Sequence, residues 1–351
     1  MSQMNQEERI APSALLESVQ SIMQRCGMSS DDAFRLADSL VFADLRGIHS
    51  HGVLRVPEYV IKLTTGGVDS RGVPQVARSF GSCIVVDGGN SMGQIGSWFA
   101  MEETIRRASE HGIAAAAIRG SNHSGAMAYF ATQALAHDMI GIATTNALPT
   151  MAPWGGVEKI LGINPLGVAI PAGNEASIVY DAAFSGSSHG KIRIHQQKGI
   201  PIPQGWAMDM EGTPTTDPSA AIDGLLMPIG GFKGTGLALI MGILSSMLSG
   251  AAYGLELGNM DDGPTPGRDG HFVAAISIAA FEDVERFQQR VDRAIQEIHR
   301  ARRAPGVARV YAPGELEHER TRHYSEDGIP LNHETLADLR ATAKKMGALG
   351  V

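Results

Sequence analysis

The sequence predicts an α/β protein with helices at both ends. Three observations predict it. Residues 12–63 read as one helix after another. Short apolar runs then alternate with helical stretches between Val76 and Ile278, and a polar tail closes on a last helix. With 351 residues, 43% of them hydrophobic, the chain is long enough for more than one domain and can bury a large core.

The elements follow in order. Pro12 and Ser13 open a helix over 12–26, with Leu15, Leu16, Val19 and Ile22 as its stripe and Gly27 as its stop. A second helix starts at Ser30, with Asp31 and Asp32 where negative charge suits the helix dipole. A third contains Val53 to Leu63 and ends at Gly66-Gly67. Cys83 to Asp87 is a strand closed by the turn Gly88-Gly89-Asn90. A helix over 95–111, a strand over 113–118, a helix over 125–137 and strands over 139–145, 166–170 and 177–180 continue the alternation. Residues 198–229 are loop-rich. From Gly234 to Leu255 no residue is charged, which is enough chain to cross a bilayer. Ser245, Ser246, Ser249 and several glycines, with no aromatic belt or basic flanks, predict instead a helix buried in a soluble core. A strand over 272–278 and a charged amphipathic helix over 281–301 come next. The tail after Gly306 reads as polar until a helix over 332–346, capped by Asn332.

Composition excludes several functions. The formal charge of −8 gives no basic face for nucleic-acid phosphates. Apolar residues are too evenly spread for a disordered chain. Cys26 and Cys83 form no zinc spacing and read as thiols of a reducing compartment. The stretch Met1 to Arg9 lacks the apolar core of a signal peptide. We therefore expect a cytoplasmic protein with neither a nucleic-acid nor a membrane partner.

Three stretches can carry chemistry. The first, Arg46-Gly47-Ile48-His49-Ser50-His51-Gly52-Val53-Leu54-Arg55, holds two imidazoles, a hydroxyl and two guanidiniums. Imidazole exchanges protons near neutrality, and arginine offers a planar fork for a carboxylate. If Val53 begins a helix, His51 and Arg55 lie on one face, a proton shuttle beside a clamp. The plainer alternative is that Arg55 pairs with an acid and the histidines cap turns. No metal is expected at His49 and His51, because neither a carboxylate nor a third ligand is near in sequence. The second stretch, Gly120-Ser121-Asn122-His123-Ser124-Gly125, lies between a strand and a helix, where α/β sheets gather ligands. His123 is a second acid/base or hydrogen-bond donor there, unless the loop merely caps the helix. The third, Gly230-Gly231-Phe232-Lys233-Gly234-Thr235, precedes the uncharged helix and suits an anion through backbone N–H groups and Lys233. It is not a Walker loop, and no G-x-G-x-x-G or G-x-S-x-G stretch occurs.

Together these stretches resemble the malate/L-lactate dehydrogenase family of the non-Rossmann type. That family includes ureidoglycolate, sulfolactate and diketogulonate enzymes and the cyclic-imine (piperideine/pyrroline-2-carboxylate) reductases. The resemblance is carried in family order by 50–55, 121–125, Thr145-Asn146-Ala147-Leu148-Pro149, Ala152-Pro153-Trp154-Gly155-Gly156, Leu161-Gly162-Ile163-Asn164-Pro165, Gly205-Trp206-Ala207-Met208-Asp209, 230–234 and Pro313-Gly314-Glu315. It implies an oxidoreductase dependent on NAD or NADP, usually a homodimer, with a nicotinamide-binding α/β fold particular to the family. The expected division is a helical part from both chain ends, residues 1–76 joined by 308–351, on the substrate and dimer side, and an α/β cofactor domain, residues 77–307. His51 is the implied proton donor/acceptor, with Ser50, Arg55 and His123 as its substrate-site neighbours. Asp181, Ala182 and Ala183, Lys233 and Gly234, and Pro313, Gly314 and Glu315 are implied cofactor contacts, and Asn146 and Ala147 are implied to lie near the cofactor. Where many relatives have Asp-Met-Ala-Thr-Ser followed by Ala-Arg-Gly-Lys, this chain has Asp181 to Lys191, including Phe184 and His189. The family's glycine-tyrosine after the lysine is Gly234-Thr235 here. The reaction this implies is hydride transfer to or from a small 2-hydroxy or 2-oxo carboxylate. Reduction of a cyclic imine carboxylate is the alternative. A binding protein that has kept the fold, or a metal-dependent hydrolase using His49, His51 and His123, would be the readings from other classes.

Overall fold

The computed structural model describes residues 7–351. The expectations for Met1–Gln6, their polarity and their place in the helical part, fall outside the described residues. The first helix, Pro12–Arg25, has proline at its start, where a missing N–H costs no bond. It buries Leu15, Val19, Ile22 and Met23, and fully burying each of these contributes roughly 1.5–3 kcal/mol. Gly27, at φ +98°, turns the chain into the next helix, Ser30–Leu45. There the Ser29 side chain caps the Asp32 N–H, an interaction worth about 1 kcal/mol. The strand Glu8–Ile10 pairs antiparallel with Ile329–Leu331. This brings the last helix, His333–Met346, into the N-terminal core, where Leu336, Leu339 and Ala343 pack with residues of the first helices.

A second core lies on a seven-stranded sheet. Its order is Gln75–Phe80, Cys83–Asp87, Ile113–Ser121, Asp269–Ser277, Met139–Thr145, Leu166–Ile170 and Ile178–Ala182. Only Cys83–Asp87 and Ile113–Ser121 run parallel, joined over the helix Gly93–His111. Every other neighbouring pair is antiparallel. The strand remotest in sequence, Asp269–Ser277, is the central one and places His271 opposite Thr145 and close to Ser121. A five-stranded sheet of short strands carries a third core around Met151, Leu161, Phe184 and Leu226.

Several elements depart from the sequence expectation. Gln75–Phe80 is an exposed edge strand, so it has no buried face to mark it. Glu315–Asp327 is a helix inside the supposedly polar tail; of its thirteen residues only Glu315 is buried, so no apolar stripe betrays it. His189–Lys198 is likewise a helix with one buried residue, Ile192. Val53–Arg55 is a tight 3-10 turn before the helix Val56–Thr65, and 125–137 contains a short helix, Met127–Ala131, followed by 3-10 structure.

The uncharged segment also corrects its expectation. It is helical from Phe232 to Gly242 and then π-helical to Met247, but it is not buried all round. Gly234, Ala238, Gly242, Ser245 and Ser246 face the protein. Ile240, Ile243, Met247 and Leu248 face outward, with Ile240 50% and Leu248 56% exposed. Small residues allow the helix to lie close on the sheet, which leaves its large apolar side chains uncovered. No helix among the described residues is long and apolar enough to cross a membrane.

Candidate active site

Asp44, at the end of the helix Ser30–Leu45, is fully buried. Its carboxylate accepts the Val53 N–H at 2.8 Å and lies 2.7 Å from His49 Nδ1. Desolvation pushes this carboxyl up, against the bonds from His49 and Val53. A Cβ on Gly52 would overlap the same carboxylate, so glycine is required there. Asp44 thereby folds 46–55 into two 3-10 turns, His49–His51 and Val53–Arg55, with Gly52 extended between them. The single helical face expected for His51 and Arg55 is not formed, because Gly52 interrupts it. The guanidinium folds back instead. Arg55 Nε donates to the Ser50 carbonyl at 2.8 Å, and a terminal nitrogen donates to Glu58 at 2.9 Å. The plainer expectation for Arg55, pairing with an acid, is thus met as well, and Asp44 is a carboxylate near His49 that spacing alone did not suggest.

The second loop follows the strand Ile113–Ser121. Asn122 is buried and staples it, donating to the Ser91 carbonyl at 2.9 Å and accepting the Gly267 N–H at 2.8 Å. The His123 ring then stacks on His51, with centroids 5.7 Å apart and planes 18° apart. Ser50 Oγ lies 2.9 Å from His51 Nδ1. Tyr59 OH lies 2.7 Å from His123 Nδ1, and Gln94 Nε2 donates to the Tyr59 oxygen at 3.2 Å. Behind them the buried His271 bonds Ser121 and Thr145, each at 2.8 Å.

The electrostatics follow from this packing. Burial, aided by the Arg55 charge, pushes His51 down to about 4. Burial and the neighbouring His51, Arg55 and His271 hold His123 well below the usual histidine range. Both rings are neutral at pH 7. Burial raises the nearby Asp269 carboxyl to about 7. His49 is turned to Asp44 and stacks against Tyr324, and no metal-holding group of three His, Cys, Asp or Glu side chains occurs among the described residues.

Three of the residues expected at the cofactor meet around one cavity of about 170 Å³, lined by Arg46, Asp181, Pro313, Gly314 and Glu317. Asp181 accepts the Ala128 N–H at 2.8 Å, and burial pushes its carboxyl up to about 6. Gly314 sits at φ +92° with its Cα against the Val179 backbone, a position that admits no side chain. Arg46 is 7% exposed, and its Nε has no hydrogen-bond partner. Ala182 and Ala183 continue the Asp181 strand end. The other expected contacts lie elsewhere or point elsewhere. The Glu315 side chain accepts the Ala312 N–H and pairs with His299, each at 2.7 Å. Asn146 donates to Ser246 and to the Ala252 carbonyl and accepts from Gly270, tying strand end to helix end. The Ala147 N–H is held by Asn164. Lys233 is exposed in the first turn of its helix, and Gly234 is buried against Ile229. Phe184, within the stretch that departs from the family pattern, is 2% exposed and packs in the third core.

A match to the family described as malate/L-lactate dehydrogenase covers residues 10–340. The chain belongs to the malate/L-lactate dehydrogenase family. It is 34% identical to a malate dehydrogenase of Pyrococcus horikoshii, over 98% of this chain and 97% of that one. It is 31% identical to a Delta(1)-pyrroline-2-carboxylate/Delta(1)-piperideine-2-carboxylate reductase of Pseudomonas putida, over 95% and 96%. The structure of sulfolactate dehydrogenase from Methanocaldococcus jannaschii superimposes with a TM-score of 0.92 at 33% identity, covering 97% of this chain and 98% of that one. As a malate/L-lactate dehydrogenase family member, the protein is an α/β oxidoreductase acting on CH–OH or C=N groups with a nicotinamide cofactor.

Sequence reasoning missed Asp44, Tyr59, Gln94 and His271 at this site. Tyr59 had a local signal, four residues after Arg55 on the same helical stretch. Gln94 and His271 had none; only the folded sheet and helix bring them in.

Proposed function

We propose that the protein transfers hydride between NAD or NADP and the α-carbon of a small 2-hydroxy or 2-oxo carboxylate. The observation that carries this reading is the stacked His51–His123 pair beside the anchored Arg55. Arg55 orients the substrate carboxylate through whatever donor capacity its Ser50 and Glu58 bonds leave. His51 takes the hydroxyl proton during oxidation and returns it during reduction, and His123 hydrogen-bonds the same oxygen. Ser50 supports the His51 ring.

When bound, the nicotinamide supplies or accepts the hydride at its C4. The cavity beside Arg46 fits part of a dinucleotide. It has an arginine with an unpartnered nitrogen, two carboxylates that can accept hydroxyl hydrogens, and the Pro313-Gly314 backbone. Lys233 and Gly234 at their helix start suit cofactor phosphate. In this reading residues 1–76 with 308–351 form the substrate and dimer side, and 77–307 form the cofactor side.

The second reading, reduction of a cyclic imine carboxylate, is favoured by the Pseudomonas putida relative named for that activity. It uses the same carboxylate anchor. The outward apolar face of the helix Phe232–Gly242 and its continuation supports a homodimer as the working form. Acidic charge and the two unpaired cysteines support a cytoplasmic protein.

A panel of 2-oxo acids and cyclic imine carboxylates, each with NADH and NADPH, tests the proposal. Turnover of a 2-oxo acid supports the first reading and turnover of an imine the second. Cofactor binding with no turnover on any member contradicts both.

A further inference from the structure

The two stacked imidazoles are not equivalent. Each has its Nδ1 against a hydroxyl, Ser50 for His51 and Tyr59 for His123. The Ser50 hydroxyl is free to donate to His51 or accept from it. The Tyr59 hydroxyl is not. Tyr59 is 1% exposed on the helix Val56–Thr65, and Gln94 is fully buried in the first turn of Gly93–His111. Gln94 Nε2 lies 3.2 Å from the phenol oxygen and in this orientation donates to it, while Gln94 Oε1, turned away, is buried with no partner. A phenol has one hydrogen, so that hydrogen is directed at His123 Nδ1. A neutral imidazole that accepts at Nδ1 carries its proton on Nε2.

We propose that Tyr59, held by Gln94, is a positioning residue that locks His123 in the Nε2–H form. His123 then only donates a hydrogen bond to the substrate oxygen, and His51 alone exchanges the proton. This assignment of roles rests on the proposed dehydrogenase reading; the tautomer itself does not. The packing keeps the lock set by restricting both partners. A Cβ on Gly93 would overlap the backbone of Asn122 and His123, so the helix start that carries Gln94 lies directly on the His123 loop. Burial raises the phenol, which keeps it a donor. The groups facing His123 are His51 and Arg55 from the first loop and His271 from the central strand, and each opposes a positive charge on it. Beyond Tyr59 stand Glu58 and Asp269, both of which disfavour ionisation of the phenol.

The test uses the full-length protein with 15N-labelled histidine and no cofactor, with the His123 signals assigned through His123→Gln. At pH 7 we expect His123 Nδ1 at the shift of an unprotonated nitrogen and Nε2 at that of a protonated one. A protonated Nδ1 overturns the proposal. Tyr59→Phe keeps the shape and removes the donor. In that variant we expect a mixture of His123 tautomers, and the protonation of His123, followed through the same 15N signals, moved up by about one pH unit, since the bond that favoured the neutral ring is gone. NADH binding, read by fluorescence, should stay within a few-fold. An unchanged tautomer and an unchanged His123 titration overturn the proposal. Should Tyr59→Phe fail to fold, Gln94→Met replaces it: it removes the donor that occupies the phenol oxygen, so that oxygen can accept from Nδ1–H and both His123 tautomers should appear, and a ring that stays wholly in the Nε2–H form counts against the lock. If the tautomer is as expected but His51→Gln leaves hydride transfer intact, the reading of the site fails while the lock stands.

Discussion

The low basicity of His51 sets a direction to the chemistry. With its pKa near 4, the ring is an unprotonated base throughout the neutral range. For alcohol oxidation, kcat/KM should rise as pH passes upward through about 4 and then level off. For reduction it should fall over the same interval, as the proton to be delivered is lost. Initial rates in both directions across pH 3.5–7 check the sign. His271 offers a second test. Its folded pKa of about 4 lies below the ordinary 6.5, so the unfolded chain binds the extra proton first. The stability tied to its neutrality is present above 6.5 and is lost as pH falls through 4. By pH 4.5 the loss is on the order of 2–3 kcal/mol. Urea unfolding at pH 7 and 4.5 should show a smaller difference for His271→Gln than for the unaltered protein. At this scale His51, Arg55 and His123 were readable because imidazole and guanidinium declare their chemistry by type. Asp44 and His271 were not, since an acid at a helix end and a histidine within a strand look structural until their partners are seen.

At the scale of elements, the site depends on one carboxylate folding one loop. Asp44 binds Val53 and His49, and Gly52 leaves room for it. Gly52→Ala should therefore displace His51 while leaving both main cores intact. We expect a loss on the order of 10²-fold in turnover, as a misplacement of about 1 Å can produce, with only a few degrees lost in Tm. Activity and thermal melts on one preparation check this. Helices with apolar stripes, such as Pro12–Arg25 and Ser30–Leu45, were legible with correct ends to within a residue or two. Glu315–Asp327 and Gln75–Phe80 were not, because neither buries a periodic face. The segment from Phe232 showed the opposite failure: its apolar character was visible, but not that its glycines and serines, rather than its isoleucines, would face inward.

For the whole molecule, the proposed homodimer rests on that inversion. A helix that exposes Ile240, Ile243, Met247 and Leu248 together needs a cover. Placing a charge in the patch with Ile240→Glu should shift the protein from dimer to monomer in light scattering, whereas Glu110→Lys on an exposed helix end should not. The α/β class was legible from the alternation of runs, but strand order was not. Asp269–Ser277 reaches the centre of the sheet from more than 120 residues beyond its neighbour Met139–Thr145, and no local pattern encodes that insertion.

The central claim is that His51 moves the substrate proton. Single-turnover hydride transfer with His51→Gln, on whichever substrate the panel identifies, tests it most directly. We expect the rate to fall by about 10²–10⁴-fold with cofactor binding unchanged. A rate within a few-fold of the unaltered enzyme would contradict the account.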